Sequence, residues 1–94
     1  MIIVSGKIYV KAGRREAFLA ASMEAVMQAR RTAGCLDFVV AADPIEPDRV
    51  NVYESWQSEA ALLVFRGAGP NADLRAEIVR AEVKRHDVSS SGPP

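Results

Sequence analysis

Two side chains able to move a proton or hold a ring stand two residues apart in Glu54-Ser55-Trp56. In an extended segment residues i and i+2 share a face, so the carboxylate and the indole lie side by side. Val50 and Val52 precede them on that face, which marks it as the covered one. A carboxylate there must be paired, reach water or take a raised pKa. A raised pKa suits a base that accepts a phenolic proton. An ion pair with a neighbouring Arg or Lys, or a capping contact to the following turn, is the favoured account of Glu54 and involves no chemistry. Trp56 ends the run near the expected mouth between sheet and helices. It either closes the end of the core or stacks on a flat aromatic ligand and offers one N–H.

The remaining reactive residues are less directed. His86 is the only histidine, and no His, Cys, Asp or Glu set has metal-ligand spacing. It reads as a solvated or interface histidine, with acid–base work as the alternative. Cys35 follows Gly34 at a helix exit. Thiols are activated at helix N-termini or beside cations, so Cys35 reads as structural. One cysteine makes no internal disulfide, which suits a reducing cytosol and a cytoplasmic location. Tyr9, Tyr53, Asn51 and Ser5 fall on the opposite sheet face, where interface packing or orientation of a ligand would use them.

The elements that position these residues follow from periodicity. Ile2 to Val10 alternates, with Ile2, Val4, Gly6, Ile8 and Val10 on one side, and reads as a strand. After a turn at Lys11-Ala12-Gly13 the period becomes helical from Arg14 to Ala33. Phe18, Ser22, Val26, Ala29 and Ala33 form the stripe, with Leu19 and Met23 beside it. Gly34 is expected at C′ with positive φ. A second strand carries Leu36, Phe38 and Val40 on one face and ends near Asp43-Pro44, and Pro44 to Asp48 is a turn. The third strand runs from Arg49 to Trp56. Ser58 caps a helix through about Arg66, Gly67-Ala68-Gly69-Pro70 breaks it, and Asn71 caps a further helix carrying Leu74, Ile78 and Val79. A short last strand is expected from about Val83 to Val88.

The order β-α-β-β-α-β is the split βαβ, ferredoxin-like pattern of an α+β domain. A four-stranded antiparallel sheet with helices on one face is predicted over residues 1–88, with 89–94 as a tail. The uncovered face would carry Ile3, Lys7, Tyr9, Val39, Ala41, Tyr53 and His86. Its apolar content points to a partner, most simply a second copy under two-fold symmetry.

The composition bounds the function. With 94 residues the chain is one domain, and twelve basic residues balance twelve acidic ones. Such a chain has no electrostatic footprint for nucleic acid. No apolar run approaches the ~20 residues of a membrane span, and Met1 to Gly6 lacks the charge and length of a signal peptide. No Gly-rich fingerprint, P-loop or metal-ligand set is present.

Two stretches carry a family resemblance: Gly34-Cys35-Leu36-Asp37-Phe38 and Tyr53-Glu54-Ser55-Trp56-Gln57-Ser58-Glu59-Ala60-Ala61-Leu62. A Gly-Cys-Leu helix exit followed by Glu-x-Trp and a Glu-Ala-Leu-like helix start resembles the antibiotic biosynthesis monooxygenase family, of the dimeric α+β barrel type. The resemblance implies a homodimer through the bare sheet face. It also implies oxidation of a quinol or polycyclic phenol by dioxygen without metal, flavin or haem. Only Trp56 carries over from the family directly; with Glu54, read from its place on the covered face, it is a catalytic candidate, and Trp56, Phe65, Val52 and Phe18 are expected around a small aromatic substrate.

The chain departs from its relatives at several positions. Phe65 stands nine residues beyond the Trp, where many relatives have His. Val52 stands four residues before it, where relatives that oxidise polyketides have Asn. Gly6 occupies the strand-one Asn position of haem-degrading relatives, which argues against haem degradation. An isomerase of the same fold acting on a small metabolite, and a non-catalytic binding or structural dimer, are the alternative functions.

Overall fold

The computed structural model describes residues 1–67 and 72–94, with 72 and 73 by backbone alone. Strand β1 (Ile2–Val10) leads into helix α1 (Arg15–Arg31), then β2 (Cys35–Ala42) and β3 (Arg49–Trp56). Helices α2 (Glu59–Gly67) and α3 (Ala72–Ala76) precede β4 (Ile78–Asp87). The sheet is antiparallel in the order β2-β3-β1-β4, the ferredoxin-like arrangement the β-α-β-β-α-β order predicts. Among the described residues no helix is long and apolar enough to cross a membrane.

The alternation in β1 and β3 determines which face is covered. Ile2, Val4, Ile8 and Val10 from β1 and Val50 and Trp56 from β3 are buried beneath the helices. Helix α1 contributes Phe18, Ser22 and Ala29 to that core, and α2 contributes Leu62 and Phe65. Met23, expected beside the α1 stripe, is instead 59% exposed: it is one residue on from the buried Ser22 and so points well away from it. Ser58 caps α2 as expected, its hydroxyl accepting from the Ala61 N–H at 3.2 Å.

Three boundaries differ from the sequence reading. Helix α1 ends on Thr32 as its C-cap, so Gly34 lies two residues beyond the cap, although it has the expected positive φ of 87°. Leu36 leaves the covered face because β2 carries a bulge between Cys35 and Asp37. Cys35 pairs with Trp56 and Asp37 with Ser55, which leaves Leu36 unpaired and 52% exposed. The helix expected to carry Ile78 and Val79 stops at Ala76, where the Glu77 N–H returns to the Leu74 carbonyl. β4 begins at Ile78, not Val83. The expected Asn71 cap and the break at 68–70 lie outside the described residues.

The β2–β3 turn is tied back to α1. Arg15 donates to the carbonyls of Asp43, Glu46 and Arg49 at 3.1, 2.9 and 3.3 Å. The Asp43 carboxylate accepts from the Glu46 and Ile45 N–H groups and from the Asn51 amide. The Glu46 N–H first, then the Asn51 amide, hold its pKa down to about 2.

Two glycines separate backbone strain from crowding. Gly13 has φ of 73° with nothing within 4 Å of an added Cβ, whereas one at Gly34 would lie 2.6 Å from the Ala61 Cβ. We expect Gly13→Ala to cost about 1–2 kcal/mol from the left-handed backbone alone. Gly34→Ala should cost at least ~1 kcal/mol more through overpacking against α2. Denaturant unfolding of both variants checks this; equal losses would show that α2 is not seated on Gly34.

Candidate functional site

Among the described residues the buried ones form two clusters rather than one. Ile2, Val4, Ala29, Phe38, Trp56, Leu62 and Phe65 pack at one end of the sheet. Ile8, Val10, Phe18, Val50 and Leu74 pack at the other, with Val40 touching both. Between them the helices and sheet enclose a cavity of about 370 Å³. Its walls include Phe18, Val26, Phe38, Val40, Val52 and Phe65. Among the described residues its polar groups are Ser22, Glu54, Arg66 and Arg75. The Ser22 hydroxyl is already committed to the Leu19 carbonyl at 2.9 Å. A cavity of about 150 Å³ admits benzene, so this one has room for fused rings.

Glu54 reaches the cavity because its neighbours on the covered face, Val52 and Trp56, fix the strand's phase. Opposite it on β2 is Phe38 and on β1 is Val4. This apolar setting raises the Glu54 pKa: burial is the dominant cause, opposed by the Trp56 hydrogen bond and, more weakly, by the positive charge of Arg66. The indole Nε1–H donates to Glu54 Oε1 at 3.0 Å.

Of the candidates, the structure places Glu54, Phe65, Val52 and Phe18 on the cavity wall. Trp56 is placed elsewhere. It is 0% exposed, does not line the cavity, and sits in a three-ring cluster. Its ring centroid lies 5.4 Å from Phe65 at a 30° tilt and 6.4 Å from Phe38, edge-on. A ligand in the cavity would meet Phe38 and Phe65, while the indole acts on it only through Glu54. The cavity lining also includes Arg66 and Arg75, which the sequence reading did not single out. Each sits in the last turn of a short helix, where a cation reads as a partner of the helix dipole.

The other reactive residues lie away from this cavity. His86 is opposite Ile3 on the bare face, in a more open, polar depression of about 500 Å³ with Ser5, Lys7, Asn51, Glu82 and Lys84. Tyr9 donates to Glu46 at 3.2 Å and is covered by the Arg80 guanidinium at 4.3 Å. Burial, then the charges of Asp37 and Glu54, push the Cys35 thiol up, which disfavours the thiolate. Gly6 has φ of 152°, and a Cβ there would collide with the Glu82 carbonyl. The strand-one Asn of haem-degrading relatives therefore has no room in this chain.

The Glu54 environment carries a stability signature. A carboxyl whose folded pKa is raised contributes its full stability below the unfolded value and loses it as pH rises through the folded one. We expect Glu54→Gln to abolish that loss, so the variant gains stability over wild type at pH 7 but not at pH 4. Urea unfolding at the two pH values checks this; a variant less stable than wild type at pH 7 would show that Glu54 is held as a stabilised anion.

The same architecture recurs in solved proteins. The fold matches a Deinococcus radiodurans protein named as a candidate antibiotic biosynthesis monooxygenase, with TM-score 0.85, 17% identity, and coverage of 100% of this chain and 98% of that one. A Nitrosomonas europaea protein named in the same way matches at TM-score 0.81 and 18% identity, covering 96% and 100%. A third, from Chloroflexus aurantiacus, matches at TM-score 0.78 and 28% identity, covering 97% and 96%. In sequence, 61 residues are 33% identical to an uncharacterised Synechocystis protein, over 65% of this chain but only 42% of that protein's length. The sequence profile of the antibiotic biosynthesis monooxygenase family matches residues 1–77, and the chain belongs to that family.

Proposed function

We propose that the protein is a cofactor-independent monooxygenase that oxidises a quinol or polycyclic phenol with dioxygen, with Glu54 as the base. One observation carries this reading: a carboxylate with a raised pKa faces a cavity walled by Phe18, Phe38 and Phe65 and large enough for fused rings. Glu54 takes the proton of a ring hydroxyl. The conjugate base, held away from water by Phe18, Phe38 and Phe65, gives one electron to dioxygen, and the radical pair couples at a ring carbon bearing hydrogen. For an anthrone-like phenol, Glu54 returns its proton to the peroxide, which loses water. A ring CH₂, counted in the keto form, and O₂ become C=O and H₂O, and no external reductant is consumed. The three phenylalanines on the cavity wall support an aromatic substrate over the small oxygenated metabolite of an isomerase.

Oxygen uptake with a panel of quinols and anthrone-like phenols tests the activity, and Glu54→Gln should lower the rate about 10²–10⁴-fold. Trp56→Phe keeps the ring cluster but removes the donor to Glu54. Its rate should therefore rise with pH at a higher midpoint than wild type. If no compound is consumed faster than in buffer, the monooxygenase reading is wrong. If uptake is insensitive to Glu54→Gln, another group is the base.

We further infer a homodimer through the bare sheet face. Tyr53 is 41% exposed there. Ile3 and Val39 lie on the same face, while Lys7, Glu82 and Lys84 offer both signs of charge for a two-fold mate. Light scattering at micromolar concentration should give twice the chain mass, and Tyr53→Glu should give the monomer. A monomeric wild type would overturn this assembly.

A further inference from the structure

The cavity is apolar along its walls but cationic where Arg66 and Arg75 line it. The chain's other arginines are largely engaged. Arg14, Arg49, Arg80 and Arg85 are in ion pairs with Glu77, Asp43 and Glu46, Glu82, and Glu59. Arg15 and Arg30 donate to backbone carbonyls. Among the described residues neither Arg66 nor Arg75 is in an ion pair of that kind, and the one carboxylate sharing their cavity, Glu54, is tied to Trp56. They come from the ends of two successive short helices and converge on one space.

A guanidinium presents planar N–H pairs that match a carboxylate, and at the edge of an apolar site such a contact is stronger than in open water. The aromatic walls would take the rings of a ligand, and the two cations an anionic group on them.

We propose that the cavity selects an aromatic hydroxy acid, with its rings between Phe18, Phe38 and Phe65, its hydroxyl at Glu54 and its carboxylate on Arg66 and Arg75. This rests on the reading of the cavity as the substrate site and narrows the substrate class from any quinol to an anionic one. Neither arginine is catalytic here; they hold the carboxylate and leave the hydroxyl to Glu54.

The test separates binding from turnover. Calorimetry without oxygen compares 1,4-dihydroxynaphthalene with its 2-carboxylate on the full chain. The acid should bind at least about tenfold more tightly, and the advantage should shrink in high salt. In the Arg66→Gln/Arg75→Gln double variant the two compounds should bind alike. Both side chains are exposed, so the variant should fold; a wild-type-like urea unfolding transition verifies it. Equal binding of the two compounds to wild type, an advantage that survives the double substitution, or no binding of either would overturn the proposal. Preference for the acid without later oxygen uptake would leave the acid site standing and remove the monooxygenase reading. Uptake with the neutral quinol and no preference would do the reverse.

Discussion

A carboxylate on the covered face of a sheet is the constraint around which the rest of this domain is arranged. Position 54 shares its face with Val50, Val52 and Trp56 and lies opposite Phe38 and Val4. A continuous apolar core there would have buried the charge without relief. Instead the core is divided into two clusters, and Glu54 opens onto the space between them. The space and the acid are therefore one feature. The gap forgoes packing contacts that a filled core would have made, and it gives the carboxylate an outlet and a ligand a place beside it.

The bulge in β2 makes this arrangement possible. Regular pairing onward from Cys35 opposite Trp56 would set Asp37 against Glu54 on the covered face. One extra residue at Leu36 moves Asp37 opposite Ser55 and brings Phe38 opposite Glu54. Like charges are thereby replaced by an aromatic wall. Phe38 in turn contacts Phe65 at 5.4 Å between ring centroids, and both flank Trp56, whose N–H fixes one oxygen of the acid. Gly34, at the start of the same segment, lets α2 come close enough to complete that wall.

Much of this was legible in the chain, where the signal is local. Alternation in Ile2–Val10 and Arg49–Trp56 identified the covered face and put Glu54 on it, and the α1 stripe identified Phe18. Non-local facts were not legible. A bulge is a property of two paired strands, so Leu36 read as a core residue beside Phe38. The spacing of Leu74 and Ile78 is helical, yet the chain turns at Glu77 and Ile78 opens an edge strand. Trp56 read as a mouth residue because a strand end is also a core end; what buries it are Leu62 and Phe65, supplied by the helix that follows. Arg66 and Arg75 carried no local signal, since their place on one cavity wall depends on how two helices sit over it.

The central claim is that Glu54 is a proton acceptor poised in an apolar cavity and governed by Trp56. A titration of the Glu54 side-chain carboxyl by carbon NMR, followed together with the Trp56 indole N–H resonance, tests it most directly. The account predicts a midpoint above the ordinary glutamate value, with the indole resonance moving at the same midpoint as its acceptor gains a proton. A midpoint at or below the ordinary value, or an indole resonance unmoved while the carboxyl titrates, would contradict it.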